Sequence, residues 1–252
     1  MDCLEFLNLM SDNSADLVFA DPPFNTNKDY GELVNDNISD DDYYLWSNKW
    51  LSECFRILKP TGSIYVYINS RRLGRLQTMM SNYGCWQNTI VWHYTNPTPD
   101  QKRYPKTWSA FLFYTKSEKG YYFNKDSTQV PSFHTNLKFI DNRKVRLYDV
   151  WWNVSKLVSG TVAQREVIKE NGTRRMYFPR QLPKELLRRI ILSSSRENDL
   201  VIDPFMHSGT TAVVALELGR NFIGCDINQE YVDRANQRVI KSRIGEQLAL
   251  FS

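Results

Sequence analysis

The chain has 252 residues, of which 42% are hydrophobic and 24% are charged, and its formal net charge is +4. These values are typical of a globular protein that buries a sizeable core. No apolar run approaches the roughly 20 residues needed to span a bilayer, and the N-terminus is acidic where a signal peptide would be basic, so neither membrane insertion nor secretion is expected.

Charge is distributed unevenly along the chain. Residues 1–60 carry a net charge of −8, residues 61–178 carry +11 and residues 179–252 carry +1. The basic middle is also rich in aromatic residues, a combination that suits a polyanion with flat bases. The four cysteines and three histidines are widely separated, which favours neither a disulfide framework nor a zinc site and fits a reducing cytoplasm.

The first half of the chain predicts alternating strands and helices. Residues 15–20 form a short apolar run stopped by two prolines, which is typical of a buried strand. Residues 25–42 are polar, and we expect a mobile loop whose last residues begin a helix. The hydrophobic pattern further predicts a helix over 40–59, a strand over 63–68, a helix over 71–83, and strands over 89–94 and 110–115.

The second half begins with residues 118–178, which show no clean period and suggest an inserted, irregular segment. Regular alternation then returns, with helices predicted over 184–194, 210–218 and 230–243 and strands over 200–202 and 222–225. This order predicts an α/β fold with a mostly parallel central sheet and helices on both faces. Ligands of such sheets bind beyond the carboxyl ends of the strands.

The first strand ends in an unusual motif, Asp21-Pro22-Pro23-Phe24. The two prolines fix φ and lack backbone N–H groups, so the turn is rigid and offers carbonyl acceptors. A carboxylate and a carbonyl beside an aromatic ring suit a planar group that carries an amine. A simple proline turn at the end of a strand explains the motif equally well when it is taken alone.

A second motif follows the strand at 200–202, where Asp203-Pro204-Phe205-Met206-His207-Ser208-Gly209 leads into a helix at Thr210. The free N–H groups of a helix N-terminus can receive a carboxylate or phosphate. The next strand ends at Asp226, where an acidic side chain is well placed for ribose hydroxyls. A loop with a single glycine is a weak signal by itself.

In this order, the two motifs resemble those of the DNA amino-methyltransferases that use S-adenosylmethionine, in the class whose catalytic motif precedes the cofactor motif. Further matches lie at residues 2–4, 58–62, 111–117 and 221–226. The chain departs from the family at His207, which replaces a glycine, and at residues 178–183, which replace the family's His-Pro-Thr-Gln-Lys-Pro. The resemblance implies a Rossmann-like methyltransferase fold.

The resemblance also implies the residues of the site. The catalytic residues would be Asp21, Pro22, Pro23 and Phe24. The cofactor-binding residues would be Asp2, Cys3, Arg180, Gln181, Asp203, Phe205, His207, Ser208, Gly209, Thr210 and Asp226. The implied cofactor is S-adenosylmethionine, with S-adenosylhomocysteine as its product and no metal.

The implied reaction transfers a methyl group to the exocyclic amine of a base that has been flipped out of duplex DNA. Aspartate at the first catalytic position favours adenine N6, with cytosine N4 as the alternative. Residues 1–117 and 179–252 would form the catalytic domain, and residues 118–178 the target-recognition region. Candidate DNA contacts there are Lys138, Arg143, Lys144, Arg146, Arg174 and Arg175.

Double-stranded DNA is therefore the expected partner, in restriction-modification or epigenetic marking, at the nucleoid in a prokaryotic or phage-type setting. A homodimer and a companion restriction endonuclease are left open. A DNA-binding relative with a decayed cofactor site is the alternative from another class, motivated by His207 and Leu182. RNA and protein glutamine are less favoured substrates, and the Gly-x-Gly-x-x-Gly of a nicotinamide dehydrogenase is absent.

Overall fold

The computed structural model describes residues 1–26, 36–98, 101–131, 144–157, 167–168 and 181–249. Its helices are α1 (Cys3–Asn8), α2 (Asp40–Ile57), α3 (Leu73–Met80), α4 (Lys184–Ser194), α5 (Thr210–Glu217) and α6 (Gln229–Ala249). Its strands are β1 (Ala15–Ala20), β2 (Leu58–Ile68), β3 (Cys85–Thr98), β4 (Lys106–Thr115), β5 (Gln129–Pro131), β6 (Lys144–Arg146), β7 (Val150–Trp151), β8 (Leu200–Asp203) and β9 (Asn221–Gly224).

Seven strands form the central sheet in the order β7-β3-β4-β2-β1-β8-β9. β4 runs antiparallel to its neighbours β2 and β3, and the other four pairings are parallel. The prediction of an α/β fold with a mostly parallel sheet is therefore confirmed. β5 and β6 pair with each other in a separate two-stranded sheet.

β1 is buried on both faces because its side chains alternate between two apolar clusters. Val18 packs in the cluster that contains Phe55 of α2, whereas Phe19 packs in the cluster that contains Ile191 of α4. Helices thus cover the sheet on both sides, as the alternating sequence pattern predicts. No helix in the described part of the chain is long and apolar enough to cross a membrane.

Helix α2 begins where predicted and ends two residues earlier. The Ser39 hydroxyl caps it by accepting a hydrogen bond from the Asp42 N–H at 3.0 Å, and three acidic residues fill its first turn. Leu58 is already extended and pairs with Ala15 of β1. Pro60 disfavours helical backbone at the residue before it, so β2 starts five residues before the predicted strand.

Several other elements also differ from the prediction. α1 has only six residues, too few for a helical period, and Asp2 caps it by accepting the Leu4 N–H at 2.8 Å. β3 and β4 are longer than predicted and form one antiparallel hairpin. β7 lies inside the segment expected to be irregular, yet it pairs with β3, and Trp151 packs against Phe111 in the core.

The topology brings several chain segments to one edge of the sheet. β1, β2, β8 and β9 run in the same direction, so the residues that follow them emerge side by side. β4 begins at this edge because it runs the opposite way. The two sequence motifs, which follow β1 and β8, are therefore neighbours in the fold.

Candidate active site

A cavity of about 1090 Å³ lies at this edge of the sheet and joins the two motifs. Of the predicted catalytic and cofactor-binding residues, ten line it: Asp2, Cys3, Asp21, Pro22, Pro23, Phe24, Gln181, Phe205, His207 and Asp226. The adjacency of β1 and β8, in which Val18 pairs with Ile202, explains why residues so distant in sequence share one cavity.

The turn at residues 21–24, predicted to be catalytic and called the catalytic turn below, stands next to a row of aromatic rings. Phe24 contacts Tyr67 with ring centroids 5.7 Å apart, Tyr67 contacts Trp92 at 6.2 Å, and Trp92 contacts Tyr94 at 5.2 Å. All four rings line the cavity, and Trp92 is only 2% exposed. Asp21 and these four aromatic rings therefore line the same cavity, as expected of a pocket for a base that carries an amine.

The backbone after the catalytic turn is tied to the residues that precede α2. The Asp36 carboxylate accepts hydrogen bonds from the N–H groups of Asn25 at 2.6 Å and Thr26 at 2.9 Å. The Asn25 side chain both donates to the Ile38 carbonyl and accepts from the Ile38 N–H. The predicted mobile loop is thus fixed at both ends, and residues 27–35 lie outside the described residues.

Arg72 also binds the backbone at the end of this turn. No sequence pattern had indicated a role for it. Its guanidinium is 1% exposed and donates to the carbonyls of Phe24 at 3.3 Å and Asn25 at 3.1 Å. It also donates to Asp40 at 2.8 Å and to the Tyr44 hydroxyl at 3.2 Å. The Arg72 hydrogen bond lowers the pKa of Asp40. Nothing in the local sequence distinguishes this arginine from the exposed Arg71 beside it.

Asp226 provides the acceptor at the other end of the cavity. Its carboxylate oxygens accept the His207 N–H at 2.9 Å and the Asn228 N–H at 2.8 Å. Burial raises the pKa of this carboxyl group, and the two backbone donors partly offset that effect. A carboxylate offers about four acceptor positions, so Asp226 can hold this loop together and still receive hydroxyl donors from the cavity.

Apolar side chains line the cavity together with Asp226. Phe205 packs edge-on against Trp46 and Trp50, with ring centroids 5.9 and 5.3 Å apart, and both Phe205 and Trp46 line the cavity. Cys3 also lines the cavity, and burial raises the pKa of its thiol to about 12. The Cys3 side chain is therefore an apolar, neutral part of the wall.

His207, which replaces the family glycine, adopts a left-handed backbone with φ of 44°. Glycine reaches this region without steric cost, whereas histidine adopts it rarely. The His207 ring packs edge-on against Tyr231 at 5.1 Å, and both residues line the cavity. The His207 imidazole is thus part of the cavity wall.

The rest of the second motif is packed away from the cavity. Gly209 has φ of 67°, and a Cβ there would lie 2.7 Å from the Cβ of Ala235 in α6. Arg238 of α6 donates to the Ser208 carbonyl at 2.9 Å and to the Thr210 hydroxyl at 2.8 Å. These contacts fix the loop against α6, so Ser208, Gly209 and Thr210 lie behind the cavity wall.

Asp203 is likewise buried beneath the loop. Its carboxylate accepts the Phe205 N–H at 2.9 Å and the Thr211 hydroxyl at 2.6 Å. Burial raises its pKa from 3.8 to about 7, although both hydrogen bonds act in the opposite direction. The structure therefore gives Asp203 a role in shaping the loop, where the sequence predicted direct contact with a cofactor.

Two of the six predicted DNA contacts lie among the described residues. The described residues do not include Lys138, Arg143, Arg174 and Arg175, nor the predicted cofactor residue Arg180. Lys144 is paired through its backbone in β6, and Arg146 forms an ion pair with Asp126 at 3.0 Å. The cationic residues that do line the cavity are Arg71, Arg103, Lys106 and Lys156. For Arg71, Arg103 and Lys106, the net charge of +6 over residues 61–117 was the only feature of the sequence that indicated a role in binding.

Comparison with known proteins assigns the family. Residues 15–237 match the model of the N6/N4 methyltransferase family, described as DNA methylase. The chain belongs to this family. The resemblance inferred from the two motifs is thereby confirmed. In the described part of this DNA methylase, no three His, Cys, Asp or Glu side chains are grouped as metal ligands.

One curated relative and two solved structures illustrate the match. The type II methyltransferase M.HpaI of Haemophilus parainfluenzae is 33% identical over 240 residues, which cover 94% of this chain and 72% of that protein. The M1.HpyAVI–SAM complex has a TM-score of 0.63 at 21% identity and covers 95% of this chain and 96% of its own. The cytosine-N4-specific PvuII DNA methyltransferase has a TM-score of 0.68 at 20% identity and covers 94% and 83%. The two structures share the fold of this DNA methylase.

The raised pKa of Asp203 predicts a pH-dependent stability of this DNA methylase. Because the folded state holds a proton that the unfolded state releases, stability falls as pH rises from about 4 to about 7. Asp203→Asn cannot ionise, so its melting temperature should fall less between about pH 5 and pH 8 than that of the wild type. The exposed Asp233→Asn serves as the control. Identical profiles for wild type and Asp203→Asn would refute the assignment.

Arg72→Lys tests the clamp on the catalytic turn of this DNA methylase. A lysine keeps the charge but cannot reach the carbonyls of Phe24 and Asn25 together. Because small displacements of reacting groups cost up to about 100-fold, kcat should fall by about 10-fold or more. S-adenosylhomocysteine affinity should stay unchanged in calorimetry.

The matched control for this variant is Arg75→Lys, one turn further along α3 and exposed at its side chain. It should retain the wild-type kcat. Equal kcat values for Arg72→Lys and Arg75→Lys, at equal melting temperatures, would show that the turn does not depend on Arg72.

Proposed function

We propose that this protein methylates the N6 amino group of adenine in duplex DNA, with S-adenosylmethionine as methyl donor. The observation that carries the proposal is the single cavity that joins the Asp21 turn and its aromatic row to the Asp226 end. Its volume of about 1090 Å³ reaches the upper limit of typical ligand pockets. Two ligands, a nucleoside donor and a flipped base, can therefore share it.

The residues at the Asp226 end fit the donor. The half-buried Asp226 carboxylate suits the ribose hydroxyls, and Phe205 offers an apolar face for the adenine ring. Asp2 and Cys3 would contact the adenine, and the buried Gln181 would lie near the methionine portion. When bound, the cofactor supplies an electrophilic methyl group. The fold neighbour M1.HpyAVI has a structure in complex with SAM, which supports this choice of donor.

The residues at the Asp21 end orient the amine. An amine on a heteroaromatic ring is a poor nucleophile because its lone pair is delocalised into the ring. The Asp21 carboxylate and the Pro22 carbonyl would each accept a hydrogen bond from one of its two N–H groups. These bonds would draw the nitrogen toward tetrahedral geometry and direct its lone pair at the methyl group. Both acceptors are held in place before reaction, so they stabilise the positive charge that develops on nitrogen.

The aromatic row holds the base after it leaves the helix. Flipping costs about a few kcal/mol, and stacking in the pocket offsets part of that cost. Phe24 and Trp92 are nearly fully buried, so the surrounding packing holds their rings in place, and a base beside them lies away from bulk water. Residues 118–178 would supply sequence recognition, with most of their contacts to phosphates.

Two observations support the finer assignments. Aspartate at the first position of the catalytic motif favours adenine in this family, whereas the fold does not discriminate, because the PvuII enzyme of the same fold is cytosine-N4-specific. Methylation of cytosine N4 is therefore the second candidate. The name of M.HpaI as a type II methyltransferase supports a place in restriction-modification, in which a companion endonuclease would recognise the same site.

Identification of the methylated nucleoside tests the base assignment. The protein is incubated with labelled S-adenosylmethionine and unmethylated plasmid DNA, the DNA is digested, and the product is identified by mass spectrometry. We expect N6-methyladenine, and sequencing of the product then maps the recognition site. N4-methylcytosine would refute the adenine assignment, and DNA binding without any methylation would favour a relative with a decayed cofactor site.

Asp21→Ala tests the catalytic assignment. Because it removes one of the two acceptors for the amine, the methyl-transfer rate should fall by about 100-fold or more. Affinity for S-adenosylhomocysteine should stay near the wild-type value, since Asp226 and Phe205 are untouched. Asp41→Ala, with a side chain 92% exposed on α2, is the matched control. An Asp21→Ala variant as active as that control would overturn the mechanism.

A further inference from the structure

One aromatic residue at the cavity differs sharply from the others. Tyr104 lines the cavity together with Trp92 and Phe24, yet it is 98% exposed where those two are buried. It lies in the connection between β3 and β4, two residues before Lys106, which pairs with Thr98 in the hairpin. The structure therefore presents a whole aromatic ring to solvent at the rim of the cavity, on the end of a paired hairpin.

Basic residues flank this ring in sequence and line the same cavity. Lys102 and Arg103 precede it and Lys106 follows it, and Arg103 and Lys106 also line the cavity. Arg71 and Lys156, from other elements, line the same cavity. Cations around an exposed aromatic ring match the phosphates and base faces of a nucleic acid, because phosphates attract the cations while bases stack on the ring.

We propose that Tyr104 enters the DNA duplex and stacks in the space that the target base vacates, while Lys102, Arg103 and Lys106 bind the flanking phosphates. This inference rests on the proposed function. A base that enters the cavity passes its rim, so a ring on that rim lies next to the gap left behind. Phe24, Tyr67, Trp92 and Tyr94 line the interior and are placed for the flipped base itself.

The energies involved are of similar size. The free energy gained when an aromatic side chain stacks on a base is comparable with the free energy that flipping costs. Loss of the ring should therefore reduce the fraction of flipped base substantially on a fully paired duplex. It should matter little where the target base is already unpaired, since less remains to be opened.

The test compares wild type and Tyr104→Ala on two duplexes that carry the mapped recognition site. One duplex is fully paired, and the other has an abasic site opposite the target base. On the paired duplex kcat/KM of the variant should fall by about 10-fold or more, the equivalent of about 1.4 kcal/mol of lost stacking. On the second duplex the variant should stay within about 3-fold of wild type, because unpaired bases flip readily. Tyr104→Phe should resemble wild type on both.

Trp86→Ala is the matched control, since Trp86 is an exposed aromatic at the opposite end of β3 and should leave both rates unchanged. An equal loss for Tyr104→Ala on both duplexes, or no loss on the paired one, would overturn the inference while the wild-type activity upholds the proposed function. A wild-type protein that methylates neither duplex, nor any other DNA, would overturn the proposed function and this inference with it.

Discussion

The parallel pairing of β1 with β2 and β8 determines where the chemistry of this protein lies. Val18 pairs with Ile64 on one side and Ile202 on the other, and apolar clusters cover both faces of β1. With the register fixed in this way, the Asp21 turn emerges beside the loop that follows β8. The cavity between them is a consequence of strand order, as is general for open parallel sheets.

Preorganisation at this edge comes from buried and half-buried charged groups that bind the backbone. The Asp36 carboxylate and the Arg72 guanidinium bind the backbone on both sides of the catalytic turn, and Asp226 and Arg238 do the same for the second loop. A charged group loses its hydrating water on burial, and this free-energy cost is offset only when protein groups satisfy its hydrogen bonds. The turn therefore keeps its shape before any ligand arrives, which is what alignment of an amine requires.

Local sequence was enough to predict the strand at β1, the helix at α4 and both motifs, because each rests on periodicity or on proline and acidic residues at fixed positions. It could not predict that Asp203 faces the protein interior, since its partner Thr211 is brought close only by the turn into α5. Arg72 could not be identified from local sequence either, because its four partners lie in two other segments of the chain, the turn at Phe24 and Asn25 and helix α2. In the sequence, nothing distinguishes Tyr104 from another tyrosine in a basic stretch. Only the fold of the β3–β4 hairpin places it at the rim of the cavity.

The central claim is that one cavity holds the donor at the Asp226 end and the target base at the Asp21 end. A crystal structure of the protein with S-adenosylhomocysteine and a duplex containing the mapped site tests it most directly. The account predicts the ribose hydroxyls on Asp226 and the flipped base against Phe24, with its amino nitrogen in hydrogen-bond contact with Asp21. A cofactor bound at the Asp21 end, or a target base still stacked in the duplex, would contradict it.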